Sequence, residues 1–222
     1  MKKIFLTLAF IATAQISFSQ EKTGEAQQPA SEQMTQLRLA SDLARYGYET
    51  YSASALIEAA RILSGVPTHE LAPESFDKGE GTADDKAQKA ELSVEQLLKD
   101  ARKYADGDAT LLALADQVKV DNGVSRGRVN GPSKTVERVL AHSTDTYCIK
   151  FYAGSTAEVF VSGDGDTDLD VYVYDANGNL ITKDDDYTDD CYVAFIPYYT
   201  TVFTIKIVNR GSVYNQYTMW TN

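Results

Sequence analysis

The chain has 222 residues and a formal net charge of −11, with 21 Lys and Arg against 32 Asp and Glu. An acidic surface of this kind repels nucleic acid and anionic lipid, so both are excluded as partners. Beyond the N-terminus no stretch is long and apolar enough for a membrane helix, and the sequence predicts no membrane span. This length fits one large domain or two small ones.

The first 19 residues have the pattern of a secretory signal peptide. Two lysines open the segment, and the apolar stretch at 4–14 is too short to cross a bilayer. Small residues at 17–19 favour cleavage before Gln20, and cleavage before Gln15 is the alternative. Loss of the two lysines leaves 19 basic and 32 acidic residues, a net charge of −13. The mature protein is therefore expected in the periplasm or outside the cell.

The hydrophobic period of the chain changes once along its length. A flexible, polar lead-in at 20–31 precedes helical periodicity over 32–120, which a polar loop at 68–90 interrupts. A Gly-rich linker at 121–133 leads to residues 134–222, where apolar and polar residues alternate with a period of two. The sequence predicts an α+β fold with segregated parts: a small α-helical domain, then an antiparallel, jelly-roll-like β-sandwich.

Local signals mark the ends of the predicted helices. Gly65 and Pro67 end the second helical run, as a C-terminal glycine and a following proline should. Ser93 and Gln96 form a capping-box pattern before the third helix, and a fourth helix is expected over 109–118.

Cys148 and Cys191 are the two cysteines of the chain, and each lies in a strand-like run. In an exported protein an even number of cysteines favours a disulfide. The bridge would close a loop of about 43 residues and contribute about 4 kcal/mol in the chain-entropy model. A reactive or metal-binding thiol is the alternative. The prediction is a structural Cys148–Cys191 disulfide.

Carboxylates are densest in the segment GDGDTDLDVYVYDANGNLITKDDDY at 163–187. Its candidate metal ligands are Asp164, Asp166, Asp168 and Asp170, with Asp184, Asp185 and Asp186 across the next hairpin. The first four alternate, so on an extended chain they would share one face and repel one another unless a cation intervened. Calcium takes six to eight oxygen ligands in irregular geometry, so Ca²⁺ is the predicted cofactor. The alternative is a solvated acidic edge that protects strand ends.

No catalytic motif accompanies these carboxylates. Gly-x-Ser-x-Gly and HExxH are absent, and His69 and His142 are the only histidines. Adjacency of His142, Ser143 and Asp145 in sequence is not the geometry of a triad. A crowded acidic cluster also lacks the apolar surroundings that separate a glycosidase acid from its base. The sequence predicts no enzymatic activity.

Exposed tyrosines are a second candidate binding feature. Tyr172 and Tyr174 alternate with the apolar residues of their strand, and Tyr198 and Tyr199 follow Pro197 in a loop. Such rings can bind sugars or extended peptides. The alternative is that they serve as β-forming, cross-strand partners on the faces of the sandwich.

A resemblance to a known family covers residues 124–222. It rests on Asp145-Thr146-Tyr147, GDGDTDLDVYVYDANGN, the DDD cluster, Phe203-Thr204-Ile205-Lys206-Ile207 and Tyr217-Thr218. Together these resemble the bacterial pre-peptidase C-terminal domain, a jelly-roll-like β-sandwich attached to secreted peptidases and other exported proteins. Relatives of that domain on collagenases bind calcium and matrix, but here predicted helices stand in place of a peptidase domain.

The resemblance implies an exported, non-catalytic binding or accessory module. Its ligand, a protein or a polysaccharide, is not identified by the sequence. Two alternatives remain open: an accessory subunit of a secreted hydrolase, acting as inhibitor, chaperone or targeting module, and a carbohydrate-binding module.

Overall fold

The structure, a computed structural model, describes residues 24–26, 30–81, 92–119 and 131–222. The predicted signal peptide, residue 120 of the predicted helical domain and residues 121–130 of the predicted linker lie outside the described residues. Within the described part the chain forms four helices and eleven strands, and no helix there is long and apolar enough to cross a membrane. All four helices precede the eight strands from Ser133 onward, which with three short earlier strands form a two-sheet sandwich, so the predicted α+β class is confirmed.

Helices α1 (Glu32–Thr50) and α2 (Ala53–Gly65) pack against each other. The Ser31 hydroxyl caps α1 by accepting from the Met34 amide at 3.3 Å, and the Ser52 hydroxyl caps α2 by accepting from the Ala55 amide at 3.3 Å. Gly47 of α1 allows the helices to approach closely, because a Cβ there would lie 2.5 Å from Cδ2 of Leu56.

Helices α3 (Val94–Tyr104) and α4 (Ala109–Gln117) complete the helical layer. The Ser93 hydroxyl accepts from the Gln96 amide at 3.3 Å, which confirms the predicted helix start. The Asp108 carboxylate accepts from the amides of Thr110 and Leu111 at 2.8 and 3.1 Å and caps α4. Capping groups at each start leave few N-terminal amides without a partner.

The strands form two sheets. They are β1 (Gly24–Ala26), β2 (His69–Glu70), β3 (Ser75–Asp77), β4 (Ser133–Val139), β5 (Thr144–Phe151), β6 (Ala157–Ser162), β7 (Leu169–Tyr174), β8 (Leu180–Asp184), β9 (Asp190–Pro197), β10 (Thr201–Asn209) and β11 (Asn215–Thr221). One sheet has the order β1-β9-β6-β11-β4-β2, and the other β3-β5-β10-β7-β8. Neighbouring strands are antiparallel except β2 and β4, which pair in parallel.

The main core lies between the two sheets and is built by the alternation of each strand. In β7, Leu169, Val171 and Val173 are fully buried, whereas Tyr172 and Tyr174 face outward and are half-buried, as predicted. The two tyrosine rings stack on that outer face with centroids 6.5 Å apart.

A second core joins the helices to the outer face of the six-stranded sheet. Phe160 of β6 and Trp220 of β11 stack with centroids 5.3 Å apart, and Met34 and Leu37 of α1 pack over them. All four side chains are at most 2% exposed. Burial of each such side chain contributes about 1.5–3 kcal/mol to the free energy of folding. These contacts therefore stabilise the packing of the helical layer on the sandwich.

Two segments that the sequence predicts to be irregular contain short strands. The predicted loop at 68–90 contains strands β2 and β3, one at the edge of each sheet, and Phe76 of β3 stacks on Tyr147 at 4.4 Å. A polar composition therefore hid two edge strands, because each is short and exposes most of its side chains. In the predicted lead-in at 20–31, Gly24–Ala26 forms β1 and pairs with β9.

Candidate functional site

A cleft of about 990 Å³ opens between helix α1 and two aspartate-rich loops at one end of the sandwich. The loop at 163–168 follows β6, and the loop at 185–189 connects β8 to β9. Nine of the cleft side chains are acidic and two are basic. The acidic ones are Asp42, Glu49, Asp164, Asp166, Asp168, Asp184, Asp186, Asp189 and Asp190, and the basic ones are Arg38 and Arg45.

The 163–168 loop is shaped by its own carboxylates. Asp164 accepts from the amide of Asp166 at 3.2 Å and, through its other oxygen, from the amide of Gln216 at 2.9 Å. The Gly163 amide donates to the Asp189 carbonyl at 2.9 Å, and a Cβ on Gly163 would lie 2.3 Å from a carboxylate oxygen of Asp189. The two acidic loops are therefore held together where glycine permits close approach.

The second loop is fixed in a similar way. Asp184 accepts from the Tyr192 amide at 2.8 Å, and Asp186 accepts from the amide and the hydroxyl of Thr188 at 2.8 and 2.7 Å. Burial raises the pKa of Asp184 above its ordinary value, against the opposing effect of the Tyr192 hydrogen bond. Asp185 forms an ion pair with Lys183 and does not line the cleft.

Asp168 differs from its neighbours because its Oδ1 is enclosed and has no hydrogen-bond partner among the described residues. Desolvation raises the pKa of Asp168, and the charges of Asp170 and Asp186 raise it further. Asp170, which is 3% exposed, is bound instead by the Arg210 guanidinium and the Tyr172 hydroxyl. A carboxylate oxygen without a donor is the least satisfied polar group of the cleft.

Helix α1 contributes the basic side of the cleft. Arg45 forms ion pairs with Asp42 and with Asp190 at the start of β9. The Ser41 hydroxyl lies 2.8 Å from the Ser162 hydroxyl and donates to Asp190 at 3.1 Å. Burial raises the pKa of Asp190, while the Ser162 hydrogen bond and the Arg45 charge oppose that rise. The cleft wall thus already holds one guanidinium against the carboxylate that begins β9.

The structure brings five of the seven predicted metal ligands to the cleft and leaves Asp170 and Asp185 in ion pairs outside it. The prediction that the first four share one strand face is wrong, because 163–168 is a loop and β7 begins at Leu169. Over residues 30–81, 92–119 and 131–222, no three acidic, histidine or cysteine side chains lie close enough together to hold a metal ion.

The predicted Cys148–Cys191 disulfide is wrong, since both cysteines are free. Cys148 lies between the inward-facing Tyr147 and Ile149 of β5, so its half-buried side chain faces outward from the five-stranded sheet. Cys191 belongs to β9 of the other sheet, is 1% exposed and donates to the Leu169 carbonyl at 3.0 Å. The two thiols therefore lie on opposite sides of a packed sheet and cannot meet.

The histidines lie away from the cleft. His69 of β2 lies with its Nε2 2.8 Å from the Ser133 hydroxyl of β4, at an exposed sheet edge. Among the described residues no carboxylate bonds its other ring nitrogen. Asp145 accepts from Gly79 and Tyr217, at 3.0 and 2.9 Å, rather than from His142. The arrangement of a nucleophile, a base and an orienting acid is not assembled at either histidine.

The sequence analysis did not identify the residues of α1 that line the cleft, nor the cleft carboxylates of Asp189 and Asp190. Ser41 and Arg45 are polar residues on a helix, and nothing in their local pattern indicates a contact with Ser162 or Asp190, more than 100 residues away. Asp189 carried a weak signal, because it extends the acidic run into β9.

Comparisons with known proteins give distant likenesses. No protein-family model and no curated protein matches the chain. Among solved structures, PliG of Aeromonas hydrophila, a periplasmic inhibitor of g-type lysozyme, is 12% identical with a TM-score of 0.32, over 41% of this chain and 84% of that one. The Yersinia pseudotuberculosis-derived mitogen is 14% identical with a TM-score of 0.32, over 42% and 86%. Likeness at this level assigns neither a family nor an activity, and the resemblance to the pre-peptidase C-terminal domain stays a prediction.

Proposed function

We propose that the chain is an exported, non-catalytic binding protein that takes a basic segment of a partner protein into the cleft between α1 and the two acidic loops. The observation that carries this proposal is the cleft itself, about 990 Å³ in volume with nine acidic and two basic side chains. Export rests on the predicted signal peptide at 1–19, and the partner class rests on charge complementarity.

Arg45 supports the choice of a basic partner. Its guanidinium lies against Asp42 of α1 and Asp190 of β9 within the cleft, so the cleft already holds one planar cation between carboxylates. The aromatic rings that line the same cleft favour the same ligand, since Arg38 lies 4.4 Å above the ring of Tyr192. A partner arginine or lysine would meet the Asp186 carboxylate, which accepts from Thr188, and the enclosed Oδ1 of Asp168, which has no hydrogen-bond partner among the described residues.

The hydrogen bonds of His69 and of the cleft carboxylates support the proposal that the protein has no enzymatic activity. The His69–Ser133 pair is exposed at a sheet edge, and the acids of the cleft mostly accept hydrogen bonds that shape their own loops. An accessory subunit of a secreted hydrolase would fit the same cleft, with the basic segment supplied by the hydrolase.

Binding to the mature protein is tested with a decaarginine peptide, and decaglutamate serves as the negative probe. Glu49→Gln combined with Asp168→Asn should weaken binding about tenfold or more, and added salt should weaken it further. Glu70→Gln with Glu74→Gln removes the same charge from exposed positions outside the cleft and is the matched control. Equal loss in both double variants would mean that net charge alone attracts the peptide and would sink the proposed site.

A second candidate is the predicted calcium site, and Asp168 favours it. Its enclosed Oδ1 has no hydrogen-bond donor among the described residues, and desolvation followed by the charges of Asp170 and Asp186 raises its pKa, an effect that a bound cation would oppose. Carboxylate oxygens are the ligands that calcium prefers. Asp168 and Asp186 are the side chains expected to hold the ion, and Asp164, Asp166 and Asp184 line the same cleft.

A further inference from the structure

Three exposed tyrosines lie at the end of the sandwich opposite the acidic cleft. Tyr152 begins the connection from β5 to β6, and Tyr198 and Tyr199 lie in the connection from β9 to β10. The pairing of Ala157 with Phe195 and of Ser162 with Asp190 sets the two ends of this strand pair about 17 Å apart. This tyrosine end is therefore separate from the proposed cleft.

The two connections are tied to each other. The Gly154 amide donates to the Pro197 carbonyl at 2.9 Å, and the Ala153 amide donates to the Thr200 hydroxyl at 3.0 Å. Gly154 has a φ of 74°, a left-handed conformation that glycine adopts without strain. Tyr152 is 69% and Tyr199 66% exposed, so both rings stand in solvent on a connected backbone.

Below Tyr152 the end of the sandwich is rigid and aromatic. Phe151 is 3% exposed and packs edge-on against Phe195 and Phe203, with ring centroids 5.5 and 6.1 Å away. Because Tyr152 follows this anchored residue directly, its backbone is fixed before any ligand arrives. A backbone that is already fixed avoids part of the entropy cost of ordering this segment when a ligand binds.

A small hollow of about 180 Å³ adjoins the Tyr152 ring. Ser155, Thr156 and Asn222 supply its polar groups, all of them uncharged. The Asn222 amide is held in place, since it accepts from the Glu158 amide at 2.9 Å and donates to the Thr156 carbonyl at 2.8 Å. Hydroxyl and amide groups thus lie beside an exposed ring.

The two connections that form the tyrosine end carry no charged side chain, and the nearby Glu158 carboxylate, which accepts from the Asn222 side-chain amide at 3.0 Å, belongs to a residue only 1% exposed. Residues 151–157 and 197–201 contain no Asp, Glu, Lys or Arg, whereas these types make up 24% of the chain. A neutral surface of rings, hydroxyls and an amide does not select an ionic partner. It matches a ligand that offers apolar C–H faces together with uncharged hydroxyls.

We propose that the tyrosine end binds a neutral polysaccharide, with the rings of Tyr152 and Tyr199 stacking on sugar C–H faces and the neighbouring hydroxyls bonding sugar hydroxyls. An extended peptide is the less suitable occupant. Peptides usually bind a sandwich by pairing with free backbone groups of a strand, and here the amides of Ala153 and Gly154 are already used within the protein. This site is independent of the acidic cleft.

Affinity electrophoresis of the mature protein tests the proposal in gels that contain laminarin, soluble starch, galactomannan, xyloglucan or hydroxyethylcellulose. At least one of these neutral polysaccharides should retard the protein, whereas the anionic polysaccharide alginate and gelatin should not. Tyr152→Ala and Tyr199→Ala should each weaken retardation about tenfold, since exposed aromatic anchors carry most of such binding energy. Unchanged melting temperatures would show that the variants are folded.

Tyr46→Ala and Tyr187→Ala are the matched controls, because both rings are exposed but lie on α1 and in the second acidic loop. They should leave retardation unchanged. Three outcomes overturn the proposal: no retardation by any neutral polysaccharide, equal loss in the control variants, or retention by gelatin that depends on Tyr152. A protein that does not bind decaarginine could still bind a neutral polysaccharide at the tyrosine end, so the two experiments test the two sites independently.

Discussion

The hydroxyls of Tyr147 and Tyr217 meet at 2.7 Å inside the sandwich and join strands of different sheets. Tyr217 also donates to Asp145, which is fully buried and receives a second hydrogen bond from the Gly79 amide. A buried carboxylate is tolerated only when donors surround it. This chain of contacts links the core to the segment that follows β3.

Removal of the Tyr217 hydroxyl should therefore be costly. We expect Tyr217→Phe to lower the free energy of unfolding by about 1–3 kcal/mol, because Asp145 would lose one of the two donors that it has among the described residues. Tyr147→Phe should cost less, about 0.5–1.5 kcal/mol, since within the described part of the chain the Tyr147 hydroxyl bonds the Tyr217 hydroxyl and no carboxylate. Urea denaturation measures both, with the exposed Tyr152→Phe as control, and a smaller loss for Tyr217→Phe than for Tyr147→Phe would contradict the assigned direction of donation.

Stability should fall as pH rises through the weakly acidic range. Burial raises the folded-state pKa of Asp145, Asp168, Asp184 and Asp190, and it is the largest cause in each case. When the folded pKa exceeds the unfolded one, the unfolded chain ionises first as pH rises, so stability is lost between the unfolded pKa, near 4, and the folded pKa. Repulsion within an acidic protein acts in the same direction.

Thermal melting at pH 5 and pH 8 measures this dependence, and the higher melting temperature is expected at pH 5. Asp184→Asn should flatten the dependence, because its amide oxygen can still accept from Tyr192 without carrying a charge. Asp116→Asn, at a side chain 70% exposed on α4, should leave the dependence unchanged. A melting temperature that rises from pH 5 to pH 8 would contradict the burial of these carboxylates.

The cysteines should behave as two unlike free thiols. Cys148 should react with a thiol reagent in the native protein, whereas Cys191 should react only after unfolding, because it is 1% exposed and burial raises the pKa of its thiol. Cys148→Ser should change stability by less than about 0.5 kcal/mol, and Cys191→Ser should cost about 1–3 kcal/mol. If the protein mass, measured without reductant, were two hydrogens below that of the dithiol form, the two cysteines would form a disulfide after all.

The sequence predicts those parts of the fold that depend on a local pattern of apolar residues. Periods of 3.6 and 2 located the helices and the main strands, because each burial face repeats within a few residues. The same alternation could have rejected the disulfide: Cys148 falls between the apolar Tyr147 and Ile149, so it faces away from the core. Counting cysteines ignored the face on which each one lies.

The acidic cleft was less accessible to prediction. Alternating aspartates resemble a strand face, yet Gly163 and Gly165 place a turn there, and glycine within the run was the signal that argued against a strand. The contact between Ser41 and Ser162 spans 121 residues and depends on how the helical layer docks. No single sequence pattern records such a contact, so the helix side of the site had to come from the structure.

Docking of the helical layer can be followed through Trp220, the single tryptophan of the chain. Leu37 packs over Trp220 and Phe160, so Leu37→Ala should lower the free energy of unfolding by about 2–5 kcal/mol. Trp220 fluorescence should shift to longer wavelength in this variant as its ring gains water. Leu39→Ala, at a position 48% exposed on the same helix, is the control and should alter neither quantity. If Leu37→Ala lowered stability without shifting the Trp220 emission, the lost stability would not come from the contact between α1 and Trp220.

Calcium should stabilise the protein through Asp168. Its enclosed Oδ1 has no donor in the described part of the chain, and desolvation together with nearby carboxylates raises its pKa, so a bound cation would compensate a charge that is otherwise unfavourable. Calcium at 100 times its dissociation constant would add about 2.7 kcal/mol to the free energy of unfolding. Magnesium should add less, because it requires a tight octahedron and loses water reluctantly. Asp168→Asn should abolish the rise in melting temperature, whereas Asp116→Asn should keep it. A melting temperature equal in millimolar calcium and in chelator would leave the acidic loops as a solvated edge.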